Sequence, residues 1–456
     1  MNFDKIEKYS FLYEIGRVHA TFGHNSLFYK QVHVTGLENI PENCAVILAC
    51  NHQNALMDAM AIICTRRWQP VFLARSDIFG NPYIAKLLLG MKILPVYRLR
   101  DGKESLKKNE EIFKINVEIL KNKKYLGIFP EASHLGIRKL RTINKGISRI
   151  AFQAEEEADF KLNLKILPVG LVYSNYYSFR SIIQINYGKP ISISDLEQEY
   201  KENPNNAHFE VRRRIEEGIK PLIINIENDK FYDMYENLRE IYDNRMMKRM
   251  NFRQKTFPEK FISDKKMIAA LDAFDEENLS EMEKLNEKVV VYQNGLNKFK
   301  LRDWLFEKPK SGINLFLQFI FMILTLPLFI YGTINNILPF KLPKLITKKM
   351  KDKNFHTSVE YGIWLFFYPV YYFVLFLIMW TLTDIVWIKW VFLLSLPFSA
   401  FFAFWFWKLG LKFFAKLRYY LAYNSNEIKN LQKIRAEIIS MVDEMVDKFE
   451  KKNNLE

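Results

Sequence analysis

The sequence predicts an α/β domain over residues 1–200, a mixed sheet flanked by helices, followed by a charged helical module over 201–310 and C-terminal membrane helices. Three observations lead there. Up to about residue 200, short apolar runs alternate with helical stretches, the pattern of a sheet buried between helices. Beyond it, Gly and Pro become scarce, charge rises and helical periodicity dominates. The last third carries uncharged apolar runs as long as a bilayer requires.

Strands are expected at 45–50, 71–74, 93–96, 125–129, 164–171 and 182–186, with helices between them, for example at 107–122 and 146–154. In such an alternation function gathers at the loops where strands end. Pro168 inside "ILPVGLVY" argues for an edge strand or a strand end, because proline gives no ladder N–H. "NYGKPISI" (186–193) reads as strand, turn and strand. The segment "FLYEIGRVHATFGHNSLFYK" mixes aromatic and basic residues. It suits an interfacial helix or an amphipathic helix packed on the core.

The helical module contains "FEVRRRIEEGIKPLIINI" and "RMMKRM". Acids interleave with these bases, so solvated helix faces are expected and no nucleic-acid partner. Residues 311–420 form the membrane region. "YGIWLFFYPVYYFVLFLIMW" (361–380) and residues 388–407, with "VFLLSLPFSAFFAFWFW", are expected to span. A third stretch, 314–334, contains Pro327 and could span or re-enter. The basic segments "KLPKLITKKMKDK" and "KLGLKFFAKLR" flank spans joined by base-free "TLTD". The positive-inside rule then favours two full spans plus a re-entrant segment, with the N-terminal domain on the cytoplasmic face. That face belongs to the inner membrane if the chain is bacterial. An amphipathic helix is expected over 421–456.

The net charge of +15 implies an anionic partner: lipid headgroups, phosphorylated small molecules or nucleic acid. Cys44, Cys50 and Cys64 lie in apolar surroundings and read as reduced core thiols in a cytosolic domain. "MNFDKIEKYS" is not a signal peptide. His19, His24, His33, His208 and His356 fit no metal-ligand spacing, so no metal is expected.

The chemistry gathers at strand ends. "NHQNALMD" (51–58) follows the buried run "AVILAC" and sets His52 six residues before Asp58. A neutral imidazole is a suitable general base for a hydroxyl, and a carboxylate can hold its tautomer. Six helical positions turn through about 600°, which would leave the two on different faces. The pair therefore requires His52 in the strand-to-helix turn and Asp58 reaching back from the helix's first turns. "GMKILPVYR" delivers Arg98 beyond a strand, and a guanidinium suits phosphate. "LGIFPEASH" presents Glu131 and Ser133 after Pro130, and "IRKLRTINKG" adds Arg138, Lys139 and Lys145.

Their order and spacing resemble the blocks of the phospholipid and glycerol acyltransferase family. The matching residues are Asn51–His52…Asp58, Pro95–Val96–Tyr97–Arg98, Phe129–Pro130–Glu131–Ala132–Ser133, Leu167–Pro168–Val169 and Gly188–Lys189–Pro190. The resemblance covers about residues 25 to 195. It implies an integral membrane O-acyltransferase of phospholipid synthesis. His52 would take the acceptor's proton, with Asp58 orienting it. Arg98, Arg138, Lys139 and Lys145 would hold the acceptor phosphate, Glu131 would bind the acceptor, Ser133 would assist, and amides near the strand ends would hold the oxyanion. Two departures stand out. The family separates the His and Asp by four residues and "QNALM" makes five. That longer form resembles the branch with yeast-type glycerol-3-phosphate acyltransferases and tilts the acceptor toward glycerol-3-phosphate over 1-acyl-glycerol-3-phosphate. Ala132 stands where the family has Gly.

The resemblance further implies acyl-CoA or acyl carrier protein as co-substrate, no resident cofactor, and membrane lipids as partners. Acylation of another lysolipid or amino-acid lipid, and a non-catalytic lipid-binding scaffold, are the alternatives.

Overall fold

At the centre of the sheet lies β2 (Val46–Cys50), whose five residues are all buried. A strand apolar on both faces must be covered on both, which parallel sheets achieve with crossover helices. In the computed structural model, residues 6–97, 103–131, 136–307, 311–350 and 352–453 are described. The chain divides into two units.

The first unit comprises the residues up to Asn225 and Met350–Gly362. Its elements are α1 (Phe11–Phe22), β1 (Gln31–Thr35), β2, α2 (Ala55–Ile63), β3 (Val71–Arg75), α3 (Pro82–Gly90), β4 (Ile93–Val96), α4 (Lys103–Lys121), β5 (Tyr125–Ile128), α5 (Lys145–Glu156), β6 (Lys165–Tyr173), β7 (Ile182–Tyr187), β8 (Ile191–Ser192), α6 (Glu197–Glu202) and α7 (Pro204–Ile219). The strands run in the order β1-β7-β6-β2-β5-β3-β4, with β8 beside β6. β2 pairs in parallel with β5 and β6, and β6 pairs antiparallel with β7 and β8. This is the mixed sheet flanked by helices that the sequence predicted. Ile47 and Ala49 of β2 share one core with Leu120 of α4, Ile147 and Phe152 of α5, and Val211 and Ile215 of α7. That shared core places α7 in this unit rather than in the helical module.

Two sequence expectations change here. Pro168 sits in β6, which has neighbours on both sides, not at an edge. Its carbonyl accepts from Gly188 N at 2.9 Å, so its N side also faces the turn where β6's neighbour changes from β8 to β7. A missing N–H costs no ladder bond there. β1 was not foreseen. Among the described residues it pairs only with β7, and none of its five residues is fully buried.

The second unit holds α8 (Tyr232–Ile241), α9 (Asp243–Arg249), α10 (Phe257–Glu277), α11 (Leu279–Lys298), α12 (Gly312–Thr347), α13 (His356–Leu382, from Ile363 onward), α14 (Val386–Ala422) and α15 (Asn426–Asn453). α15 buries Ile428, Ile438 and Val442 and packs on α10 and α11. A Thr256–Glu259 capping box starts α10. Arg213 and Arg214 of "RRR", in the first unit, pair with Glu210, Glu217 and Asp195. Arg245 and Arg249 pair with Asp443.

α12, α13 and α14 are long and apolar enough to cross a membrane. α12 is one continuous helix of 36 residues rather than a helix broken near Pro327 and turned back. Pro327, Pro339 and Pro343 each forfeit a ladder bond without ending it. α14 packs along it antiparallel, so close at Gly332 that a Cβ would meet the Ser399 carbonyl at 2.4 Å.

Candidate active site

The site forms where β2 and β5 end side by side. β2 stops at Cys50, and the chain turns through His52, Gln53 and Asn54 into α2. Asn51 fixes the exit. Its amide donates to the Leu171 carbonyl at 3.1 Å and its carbonyl accepts from Leu171 N at 2.7 Å, like one more residue of strand pairing on β6. The turn then needs a left-handed residue, and Ala55 takes φ +43° at the start of α2. A Cβ in that region costs about 1–2 kcal/mol. This strained step gives the five-residue spacer room: Asp58 falls in the first turn of α2 and faces back toward His52.

The pair is made as its spacing required. His52 Nδ1 lies 2.8 Å from Asp58 Oδ2. The same oxygen accepts from the backbone N–H of Gln53 and of Asn54, both at 2.7 Å. The other carboxylate oxygen, Oδ1, accepts from the Tyr173 hydroxyl at 2.6 Å. The Asp58 side chain is fully buried, whereas that of His52 is 16% exposed. An acceptor-only carboxylate on Nδ1 fixes the proton there and makes Nε2 the basic atom. The imidazole also stacks on Phe129, centroids 4.3 Å apart, and Phe129 on Phe72 at 5.8 Å. Gly127 makes this stack possible, because a Cβ would meet the Phe72 ring at 2.2 Å.

Glu131 joins the two strand ends. Its Oε1 accepts from His52 N at 2.8 Å and its Oε2 from Arg141 N at 3.2 Å. Burial pushes its carboxyl up to about 7; the two amide bonds oppose that rise and the Asp58 charge adds to it. Both oxygens thus hold backbone in place. Pro130 accepts from Asn144 N and Asn144 Nδ2, each at 3.0 Å, which ties the same loop to the start of α5. The amides of His52, Gln53 and Asn54 are all spent on carboxylates. They are therefore not the oxyanion donors expected near the strand ends.

The predicted cations divide. Arg138 and Lys139 line a small recess with Asn51, Gln53 and Tyr176. The Arg138 guanidinium donates to the Tyr173 carbonyl at 2.9 Å and lies over the Tyr176 ring. The Gln53 amide donates to the Lys139 carbonyl at 3.4 Å. Lys145 donates to Asn205 of α7 at 2.8 Å, so it is not gathered with the His52 cluster. Arg98 and Ser133, like Ala132, lie outside the described residues.

Tyr173 is the residue that sequence reasoning missed. It ends "ILPVGLVY", and the only available signal was a buried hydroxyl at a strand end that must find a partner.

Residues 31–172 match the family model described as Acyltransferase. Over these residues the chain is similar to that family. The match runs from β1 almost to the end of β6 and includes His52, Asp58 and Glu131. The chain is 29% identical over 150 residues to a 1-acyl-sn-glycerol-3-phosphate acyltransferase of Borreliella burgdorferi, a match covering 33% of this chain and 54% of that protein. The chain thus spans about half the length of the curated relative it matches. Against the crystal structure of a 1-acyl-sn-glycerophosphate acyltransferase from Thermotoga maritima, identity is 21% and the TM-score 0.31, over 45% of this chain and 77% of that one.

Proposed function

We propose that this chain is a membrane-bound O-acyltransferase that moves a fatty acyl group from a thioester donor to a hydroxyl of a phosphorylated glycerol. The observation that carries the reading is the His52 Nδ1–Asp58 Oδ2 contact of 2.8 Å at the end of a buried strand. His52 Nε2 takes the proton of the acceptor's O–H as that oxygen attacks the thioester carbonyl. Asp58 stabilises the imidazolium. When the tetrahedral intermediate collapses, the C–S bond breaks and the imidazolium returns the proton to the leaving thiolate. The donor is acyl-CoA or acyl carrier protein.

The Borreliella relative supports 1-acyl-glycerol-3-phosphate as acceptor, while the five-residue spacer supports glycerol-3-phosphate. Arg138 and Lys139 line a recess together with Asn51 and Gln53 of the turn; Arg98 and Ser133 stay in the proposal by resemblance. The basic stretch "KLPKLITKKMKDK" leads directly into Met350–Gly362, which belongs to the α/β unit. That continuity supports a catalytic unit on the same face as the bases, the cytoplasmic one.

The test is acyl transfer by membranes carrying wild type, His52→Ala or Asp58→Ala, with each donor and acceptor. Removing a general base should lower the rate by about a hundredfold or more. Undiminished activity in His52→Ala would overturn the mechanism.

A further inference from the structure

The segment Met350–Gly362 lies where α12 gives way to α13, yet it belongs to the α/β unit. It also lies outside residues 31–172, which match the family model. Its contacts with the unit fall beside the candidate site. The buried Thr357 hydroxyl donates to the Tyr176 carbonyl at 3.2 Å, and the Asn54 side-chain amide donates to the same oxygen at 2.9 Å. Three residues earlier, Asn354 Oδ1 accepts from the Tyr177 hydroxyl at 2.8 Å. Asn354 is itself held, because its backbone N–H donates to Asp352 Oδ1 at 3.0 Å in an Asx turn. The segment thus grips two consecutive residues of the stretch that follows β6.

That stretch cradles Arg138. The guanidinium donates to the carbonyls of Tyr173 at 2.9 Å and Ser174 at 3.5 Å. It lies 5.1 Å from the centre of the Tyr176 ring, whose quadrupole attracts a cation. The backbone leading to Arg138 is pressed onto the same place. Gly136 takes φ +65°, and a Cβ there would collide with the Tyr177 hydroxyl and meet Asn354 Oδ1 at 3.2 Å. Both supports of the guanidinium, the ring beneath it and the backbone before it, therefore rest on tyrosines that Thr357 and Asn354 hold. The same stretch reaches Asp58 through the Tyr173 hydroxyl, but Asp58 also keeps the amides of Gln53 and Asn54. The grip bears on the cation more than on the His52–Asp58 pair.

We propose that Thr357 and Asn354 are positioning residues: through Tyr176 and Tyr177 they set the place of the Arg138 guanidinium, and with it the affinity for the acceptor's phosphate, which rests on the acyl-transfer reading for the identity of that acceptor. A segment between two candidate membrane helices then takes part in recognising a phosphorylated glycerol.

The test uses the detergent-solubilised full chain, with saturating donor and varied glycerol-3-phosphate or 1-acyl-glycerol-3-phosphate. Thr357→Val and Tyr177→Phe each delete one hydroxyl of the support. Each should raise the acceptor KM about fivefold, as a charge-assisted bond to phosphate is misplaced, with kcat within about twofold of wild type. Thr357→Ser keeps the donor and should restore the KM. In an Arg138→Gln background neither substitution should raise the KM further. An unchanged acceptor KM in both variants, a loss confined to kcat, or an additive rise in the Arg138→Gln background would overturn the proposal. Equilibrium binding of the same two acceptors in a His52→Ala background separates affinity from reaction. If wild type transfers no acyl group but Thr357→Val weakens binding about fivefold, the acyl-transfer reading fails and the positioning role stands. If wild type transfers acyl groups and Thr357→Val leaves binding unaltered, the reverse holds. No saturable binding of either acceptor would overturn the positioning role as well. Melting curves of the variants matching wild type establish that the fold is kept.

Discussion

Replacing Tyr173 by Phe removes one oxygen and nothing else. In the structure that oxygen donates to Asp58 Oδ1 at 2.6 Å, with both residues buried. Oδ2 keeps its three partners, His52 Nδ1, Gln53 N and Asn54 N. The turn should therefore persist while the carboxylate loses the donor that sets its rotation. A hydrogen bond to a charged group contributes about 1.5–3 kcal/mol, so a loss of about 2 kcal/mol in stability is expected. For a unit of this size that lowers the melting temperature by about 4–8 °C. The rate should fall about tenfold or more in kcat, as the imidazole loses a fixed partner, with the acceptor KM unchanged because Tyr173 acts through Asp58. Acyl transfer and thermal unfolding are measured on the same detergent-solubilised full chain. In a His52→Ala background the substitution should lower kcat no further, since the route through the imidazole is already gone. A raised KM at unchanged kcat, or an additive loss in the double variant, would refute a positioning role.

Glu131 makes stability depend on pH. Its carboxyl titrates at about 7 when folded, against 4.5 when unfolded, so between those values the unfolded chain binds fewer protons and stability falls as pH rises. Denaturant titrations at pH 5 and pH 8 should show Glu131→Gln gaining up to about 3 kcal/mol on wild type across that interval, and parallel curves would refute it. Gly127→Ala should displace the Phe72 ring and, through Phe129, the His52 imidazole. A melting temperature lowered by a few degrees and a severalfold lower kcat are expected, and wild-type values in both would contradict the stack. Asn51→Ala leaves Leu171 N and the Leu171 carbonyl unpaired in a buried place, which should cost about 2–4 kcal/mol by denaturant unfolding.

The sequence was most legible where chemistry and geometry constrained each other. His52 and Asp58 could meet only across a strand-to-helix turn, and they do. β2 to β7 announced themselves as apolar runs, because strands buried on both faces have little alternation to hide them. β1 did not, because an edge strand of five residues, none of them fully buried, carries too little apolar signal. Pro168 misled for a local reason: the rule concerns a missing ladder bond, and the break between β8 and β7 removes the need for one. Glu131 was found, but its two backbone contacts were not. Nothing in "FPEASH" shows that both carboxylate oxygens would turn inward onto amides from two different loops. The cations were the least legible. A lysine's position in sequence does not say which way four methylenes lead, and Lys145 leads to Asn205.

Met350–Gly362 completes the α/β unit from far along the chain. Thr357 donates to the Tyr176 carbonyl, which Asn54 also uses, and Tyr361 holds Ala20. A ribosome makes about 5–20 residues per second, so these last pieces emerge roughly 6–25 seconds after Asn225, once α12 has been synthesised. The turn that carries His52 stays without these contacts during that interval, and the whole of α12 is made before the unit can close. A fragment ending at Asn225 would lack these contacts permanently.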